Sequence, residues 1–162
     1  MITQERLKEY LSYDPETGYF TWIKFKNARS PIGSIAGCPN NLGYIRIRFD
    51  SKFYHAHRLA WFYFHGEWPK NEIDHIDGNP SNNKLSNLRD VSPSVNSQNR
   101  KKAQAGSKTG TLGVSLNFRR NRYVSKIVLD GKIHYLGTYG TIEEAHAAYL
   151  NKKRQIHKGC TI

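Results

Sequence analysis

The order of hydrophobic and polar positions near the start of the chain predicts one short helix and several small strands. Residues 3–11 have helical periodicity, and Thr3 is placed to cap the first turn. A turn at residues 14–18 lies between aromatic-rich stretches and indicates a hairpin, because Pro fixes φ and Gly permits positive φ. Apolar and polar side chains alternate strictly in GYIRIRF at residues 43–49, which is typical of a half-buried strand with a partly basic outer face.

The middle of the chain predicts a compact group of strands and helices. The aromatic-rich stretch HRLAWFYFH reads as a short buried helix. Ser92 followed by Pro93 favours the start of a later helix, because Ser is a preferred cap and Pro fits the first helical position. The predicted order is strand, helix, strand, strand and helix, at residues 52–56, 57–65, 72–76, 88–91 and 93–103.

The last third of the chain predicts three strands and one capped helix. Asp130-Gly131 is a strong signal for a two-residue hairpin turn, and Thr141 with Glu144 forms a capping box. Along the second strand, one face begins at Arg122 and the other at Tyr123; neither is wholly apolar, so the pattern leaves the packed face open. The predicted strands span residues 112–117, 122–130 and 132–139.

These elements together predict an α+β fold. The predicted domains are an N-terminal β-rich region, a central strand–strand–helix unit, a linker, and a three-stranded antiparallel sheet packed on one helix, at residues 1–56, 57–103, 104–111 and 112–162.

The chain is basic, and its charge is unevenly distributed. Its 162 residues carry a net charge of +12, from 25 Lys+Arg and 13 Asp+Glu. Residues 1–96 hold 12 basic and 10 acidic side chains, and residues 97–162 hold 13 and 3. A basic excess of this size indicates a polyanionic partner, most commonly nucleic acid, although a basic but otherwise ordinary enzyme remains an alternative. The asymmetry predicts that chemistry and phosphate binding lie in different parts of the chain.

Composition excludes several other classes of protein. Apolar residues are 38% of the chain, and no apolar run approaches the roughly 18 residues of a membrane span, so no membrane partner is expected. The start is charged from residue 4 and does not resemble a secretory signal. Cys38 and Cys160 are too few for a four-Cys zinc site, and a reducing cytoplasm is the expected location.

The pair Asp74-His75 at the end of a predicted strand is the candidate chemical centre. Neighbouring strand residues point to opposite faces, so the two side chains are expected to divide roles, one binding metal and one activating water. Asn87 and Asn96 follow 12 and 21 residues after His75, and Asn96 lies about one turn into the last predicted helix of this part. A plain surface hairpin is the alternative for Asp-His before an Asp-Gly turn.

The stretch from His57 to Arg100 resembles the HNH nucleases of phages and mobile elements, which include homing endonucleases. The matching segments are HRLAWFYFHGEWP and IDHIDGNPSNNKLSNLRDVSPSVNSQN. The resemblance implies a ββα-metal fold that hydrolyses phosphodiesters. It implies that His75 is the general base and that Asn87 braces the loop and orients this base. It also implies that Asp74 and Asn96 are metal ligands.

Two features qualify this resemblance. The ligand set contains only oxygen donors, so one Mg²⁺ or Mn²⁺ ion is expected, with no small-molecule cofactor beside it. Arg100 stands one turn after Asn96, where His-rich relatives place another ligand, and an Arg there is better suited to a phosphate contact.

Residues 112–157 are similar to the ethylene-response-factor (APETALA/ERF) type of DNA-binding domain. The matching segments are Gly113-Val114, YVSKI, YLGTY and TIEEAHAAY. The resemblance implies a three-stranded sheet that enters the major groove, with a helix packed behind it. The residues expected on or beside the DNA face are Arg119, Arg120, Arg122, Lys126 and Lys132.

The sequence therefore predicts a metal-dependent endonuclease that nicks or cuts double-stranded DNA at a preferred site, with homing as its role. Arg46 and Arg48 are expected to make additional contacts with DNA. The protein is expected to act as a monomer or homodimer, in the host cytoplasm if a phage encodes it. The alternatives are a non-catalytic, sequence-specific regulator on a decayed nuclease fold, a non-specific nuclease and an RNA-processing enzyme.

Overall fold

The computed structural model describes residues 2–25, 30–129, 131–157 and 160 of a chain that divides into two compact units, Met1–Ser92 and Pro93–Ile162. Short helices and small antiparallel sheets make up both units, which confirms the predicted α+β class. In the described part of the chain, no helix is both long and apolar enough to cross a bilayer. The domain boundaries proposed from the sequence, after residues 56, 103 and 111, stay a prediction.

The first unit contains the predicted N-terminal helix, the hairpins and the central helix. The Thr3 hydroxyl accepts a hydrogen bond from the Arg6 amide, so the predicted cap is present. The elements, in chain order, are α1 (Gln4–Tyr10), β1 (Leu11–Tyr13), β2 (Phe20–Trp22), β3 (Cys38–Pro39), β4 (Ile45–Phe49), β5 (Lys52–His55), α2 (Ala56–His65), β6 (Glu72–His75), a 3₁₀ turn (Leu85–Asn87) and β7 (Leu88–Val91).

The described strands of the first unit form three small antiparallel sheets. Their orders are β1-β2, β3-β4-β5 and β6-β7. On β4, Ile47 and Phe49 are buried while Arg46 and Arg48 are exposed, as the alternation predicts.

One hydrophobic core holds the first unit together. It extends from Ile2 to Leu88 and includes side chains of the hairpin, of the β3-β4-β5 sheet, of α2 and of the β6-β7 ladder. Trp22 stacks on Phe49, and Phe62 stacks on Trp68 with ring centroids 4.4 Å apart. Full burial of a large apolar side chain contributes about 1.5–3 kcal/mol, so this core anchors the ladder that carries the candidate centre.

The helix at the start of the second unit is shorter than the sequence predicts. α3 spans Pro93–Gln98 instead of continuing to residue 103. Its last turn tightens, because the Asn99 amide donates to the Asn96 carbonyl and the Arg100 amide to the Ser97 carbonyl. Ser and Asn favour such local backbone bonds over helix, and the Ser97 hydroxyl also donates to the Ser94 carbonyl.

The rest of the second unit is a three-stranded sheet covered on one face by a helix. The elements are β8 (Val114–Asn117), β9 (Arg122–Leu129), β10 (Lys132–Tyr139) and α4 (Ile142–Ile156), and the strand order is β10-β9-β8. Thr141 and Glu144 form the predicted capping box. Asp130 of the predicted turn lies outside the described residues.

Burial decides which face of β9 packs against α4. Ser125 and Ile127 are buried, whereas Arg122, Lys126 and Val128 on the alternate positions are exposed. The face that begins at Tyr123 is therefore the packed one, and the face that carries the basic side chains is open to solvent.

Candidate active site

Asp74 lies near the end of β6 and forms a buried ion pair. Only 5% of Asp74 is exposed, and its Oδ2 accepts hydrogen bonds from Nε of Arg89 at 2.8 Å and from Nη2 at 2.7 Å. Both contacts fall on the same carboxylate oxygen. A buried carboxylate is costly without such a partner, so Arg89 stabilises Asp74, a contact that the sequence analysis missed. The feature that could have revealed this contact is the position of Arg89 directly opposite Asp74 in the β6-β7 ladder.

His75 ends β6 and is surrounded by polar and aromatic side chains. It is 5% exposed, and its Nε2 lies 3.0 Å from Oδ1 of Asn83. Its ring centroid lies 5.1 Å from that of His57, at a nearly perpendicular angle, and 5.9 Å from the ring of Tyr44. Asn83, which the sequence analysis does not single out, is therefore a direct neighbour of the candidate base.

His55 and His57 extend this cluster away from His75. The two rings stack at 5.2 Å, and burial, followed by the charges of His75 and His55, lowers the pKa of His57 to about 3. Burial and the charge of Arg46 also lower the pKa of His55. Among the described residues, Nδ1 of each of these two histidines is buried without a hydrogen-bond partner. His57 is thus a neutral imidazole at physiological pH beside His75.

Asn87 closes the loop that follows β6. Its Oδ1 accepts from the Asp77 amide at 2.9 Å, and its Nδ2 donates to Oδ1 of Asp77 at 3.0 Å and to the Asn82 carbonyl at 2.8 Å. Burial acts to raise the pKa of Asp77, but hydrogen bonds from Asn79, Asn82 and Asn87 outweigh it and lower that pKa. Asn87 holds the turn after His75 in one conformation.

Asn96 and Arg100 lie in the second unit. Asn96 is half-buried within α3, and its carbonyl accepts from the Asn99 amide. The Arg100 side chain is exposed, and the Arg100 carbonyl accepts from Nζ of the buried Lys153 at 2.7 Å. Of the four residues predicted for the chemistry, the first unit brings together Asp74, His75 and Asn87.

The donor set fits a hard divalent cation. The described residues contain no cluster of three or more His, Cys, Asp or Glu side chains arranged for a metal. Mg²⁺ in enzymes that act on phosphates is typically held by one or two carboxylates together with phosphate oxygens and water. The Asp74 carboxylate is an oxygen donor of the kind that Mg²⁺ and Mn²⁺ prefer.

The predicted DNA-contacting side chains are all exposed. On β4, the guanidinium groups of Arg46 and Arg48 lie 5.1 and 5.8 Å from the Phe53 ring centroid. The exposed basic residues of the second unit are Arg100, Arg119, Arg120, Arg122, Lys126 and Lys132.

The solvent face of the second unit's sheet mixes basic, aromatic and aliphatic side chains. Lys126 is paired directly with Tyr135, and Val128 with Ile133, so these four project from the same face. Val128 is 54% exposed and Ile133 is 68% exposed. The sequence analysis expected the basic residues here but did not predict the apolar part of this face.

Comparisons with known proteins give three findings. The family model described as HNH endonuclease matches residues 54–98. Protein 3.8 of Escherichia phage T7 is 34% identical over 110 residues, which cover 65% of this chain and 89% of that protein. The solved structure titled "DNA binding and cleavage by the HNH homing endonuclease I-HmuI" is similar over 93% of this chain and 88% of its own, at 23% identity and a TM-score of 0.44.

Proposed function

Because this chain carries an HNH endonuclease domain and belongs to the family of phage T7 protein 3.8, we propose that it is a metal-dependent endonuclease that hydrolyses double-stranded DNA. The observation that carries the proposal is the buried Asp74-His75 pair at the end of β6, with Asn87 closing the loop beside it. A buried carboxylate and a buried imidazole at consecutive strand positions would supply a metal ligand and a proton acceptor.

Each of these residues has a distinct proposed role. His75 accepts the proton of the water that attacks phosphorus, since an imidazole is a competent base near neutral pH. Asp74 and Asn96 would hold one Mg²⁺ or Mn²⁺ ion, which would offset the negative charge that develops on the phosphate and on the leaving 3′ oxygen. Asn87 keeps the loop after His75 in place. The expected products carry 3′-hydroxyl and 5′-phosphate ends.

DNA binding is assigned mainly to the second unit. The basic excess lies after residue 96, and Arg122 and Lys126 project from the open face of the sheet. The resemblance to the ethylene-response-factor type supports a docking of this face in the major groove, which admits a narrow sheet. We further propose that Arg119, Arg120 and Lys132 contact DNA at the edges of this sheet. Arg46 and Arg48 are proposed to add contacts from the first unit, and Arg100 to bind a phosphate. We also propose that cleavage takes place at a preferred site and that the protein acts in homing.

Plasmid cleavage tests the proposal directly. Supercoiled plasmid is incubated with the protein in Mg²⁺, in Mn²⁺ and in EDTA, and nicked and linear products are separated on a gel. We expect cleavage that requires metal, is lost in His75→Ala and persists in His65→Gln, which changes an exposed histidine. Undiminished cleavage by His75→Ala would contradict the assignment of the base.

The same assay distinguishes the alternatives. DNA binding without cleavage in any metal would support a regulator on a decayed nuclease fold. Sequencing of the product ends separates a preferred site from random cleavage by a non-specific nuclease, and a parallel RNA substrate tests an RNA-processing role. The ratio of nicked to linear plasmid as protein concentration rises separates a monomer from a homodimer.

A further inference from the structure

Asn83 makes a side-chain contact that determines where the proton of His75 lies. Nδ2 of Asn83 faces the Ser81 carbonyl at 3.4 Å, so the amide presents its oxygen, Oδ1, to Nε2 of His75 at 3.0 Å. An amide oxygen only accepts hydrogen bonds, so Nε2 must donate. The neutral imidazole therefore carries its proton on Nε2 and its basic lone pair on Nδ1.

Asn83 is itself held by the N-terminal hairpin. It is 2% exposed, and its backbone carbonyl accepts a hydrogen bond from the Tyr13 hydroxyl at 2.7 Å. Burial, with a smaller contribution from the charge of Asp14, raises the pKa of Tyr13, so this hydroxyl remains a donor at all physiological pH values.

Two backbone features of the hairpin turn also hold the loop that contains Asn83 against the hairpin. The Leu85 amide donates to the Pro15 carbonyl at 3.1 Å. Gly18 has φ of +77°, and a Cβ at this position would lie 2.5 Å from the Asn83 carbonyl carbon. Only glycine permits both this backbone conformation and this close approach.

We propose that Asn83 is a positioning residue that fixes the Nε2–H tautomer and the orientation of His75, and that Tyr13 and Gly18 hold Asn83 in place. The inference rests on the proposed role of His75 as the general base. The proposal gives the N-terminal hairpin, about 60 residues before His75 in the chain, a role in positioning the general base. Positioning contacts of this kind typically change activity by about 10- to 100-fold.

Nitrogen NMR of the histidine rings tests the tautomer without reference to activity. In protein labelled with ¹⁵N-histidine, long-range proton–nitrogen correlations report which ring nitrogen carries the proton. We expect Nε2–H for His75 in the native protein and a mixture of tautomers in Asn83→Leu. An Nδ1–H tautomer in the native protein, or an unchanged tautomer in Asn83→Leu, would overturn the proposal, even if the nuclease activity were absent.

Steady-state cleavage of a DNA substrate provides the second test. Asn83→Leu removes the acceptor, whereas Asn83→Asp retains one. We expect kcat to fall about 10- to 100-fold in Asn83→Leu and less in Asn83→Asp, with KM nearly unchanged in both. A purely structural role predicts the reverse order, because a buried carboxylate is harder to accommodate than Leu.

The hairpin contact is tested with a more conservative change. Tyr13→Phe removes one hydroxyl and retains the ring, so the variant is usable even if Asn83→Leu does not fold. The matched control is Tyr19→Phe, an exposed tyrosine of the same hairpin. We expect a lower kcat and a perturbed His75 tautomer in Tyr13→Phe but not in Tyr19→Phe. Equal behaviour of the two variants would contradict the proposed role of Tyr13.

Discussion

Asp74 and Arg89 occupy directly paired positions of the β6-β7 ladder, and the Arg89 guanidinium binds the Asp74 carboxylate through two nitrogens. The carboxylate is almost completely buried, while the Arg89 side chain is 27% exposed. The proposed cation would bring a second positive charge to the same carboxylate. Arg89 therefore stabilises the Asp74 carboxylate and would compete electrostatically with the proposed cation.

Replacement of Arg89 by Met is expected to make stability depend on metal. Without its partner, the buried Asp74 carboxylate destabilises the protein in EDTA by about 3 kcal/mol. Mg²⁺ supplies the missing charge, so it should raise the melting temperature of Arg89→Met more than that of the native protein. Thermal unfolding in EDTA and in Mg²⁺ measures both effects. The control is Arg58→Met, which removes an exposed hydrogen bond to the Asn71 carbonyl and a positive charge near His55 and His57 but leaves the Asp74–Arg89 pair in place. An equal Mg²⁺ effect in all three proteins would contradict the placement of the metal at Asp74.

Loss of the Asn87 side chain is expected to loosen the loop after His75. Asn87→Ala removes three hydrogen bonds and leaves the Asp77 amide and the Asn82 carbonyl without these partners. We expect a loss of about 2 kcal/mol in urea unfolding and at least a tenfold slower cleavage under conditions where the variant is folded. Asn41→Ala, at an exposed position, is the control. Native cleavage rates in Asn87→Ala would show that the loop does not depend on this clamp.

The buried, neutral His57 predicts a dependence of stability on pH. Its pKa is about 3 in the folded protein, against an ordinary value of 6.5, so the unfolded chain takes up a proton between these limits. Stability is therefore complete above about pH 6.5 and falls as the pH decreases toward 3, by at most about 1.4 kcal/mol per pH unit from this group. Urea unfolding at several pH values measures the slope. It should be shallower in His57→Phe and unchanged in His65→Phe; an unchanged slope in His57→Phe would refute the prediction.

Salt dependence of DNA binding tests the sheet face of the second unit. Each phosphate contact that is lost reduces the slope of log K against log salt concentration by about 1. We expect that reduction for Arg122→Gln or Lys126→Gln if the side chain meets phosphate. If the side chain contacts guanine instead, its loss should relax the sequence preference at that base, and discrimination against the wrong base should fall by about 1–3 kcal/mol. Arg154→Gln, at the exposed end of α4, should change neither quantity. Native binding by both sheet variants would exclude this face as the DNA interface.

Local patterns predicted much of the fold because they concern residues close together in the sequence. Thr3, the strand alternation around Ile47 and the Thr141–Glu144 capping box each depend on neighbours within a few positions. α3 is the exception, because its last turn tightens into bonds between residues three apart and the Ser97 hydroxyl donates to the Ser94 carbonyl, so the helix ends early.

The candidate site was only partly predictable for the same physical reason. The ordered motif singled out Asp74, His75 and Asn87, but the partners that hold them come from other parts of the chain. Arg89 is found only through strand register, and the contact between Asn83 and Tyr13 spans 70 residues. No periodicity in a single sequence reports such pairings.

The aromatic stacking in the core has an optical consequence. All three tryptophans, Trp22, Trp61 and Trp68, lie before Ser92. The second unit has tyrosine and phenylalanine side chains but no tryptophan. Selective excitation of indole therefore observes the first unit alone, whereas circular dichroism observes both. Comparing the two signals during unfolding would show whether the first unit and the second unit unfold as one cooperative body or independently, without any added label.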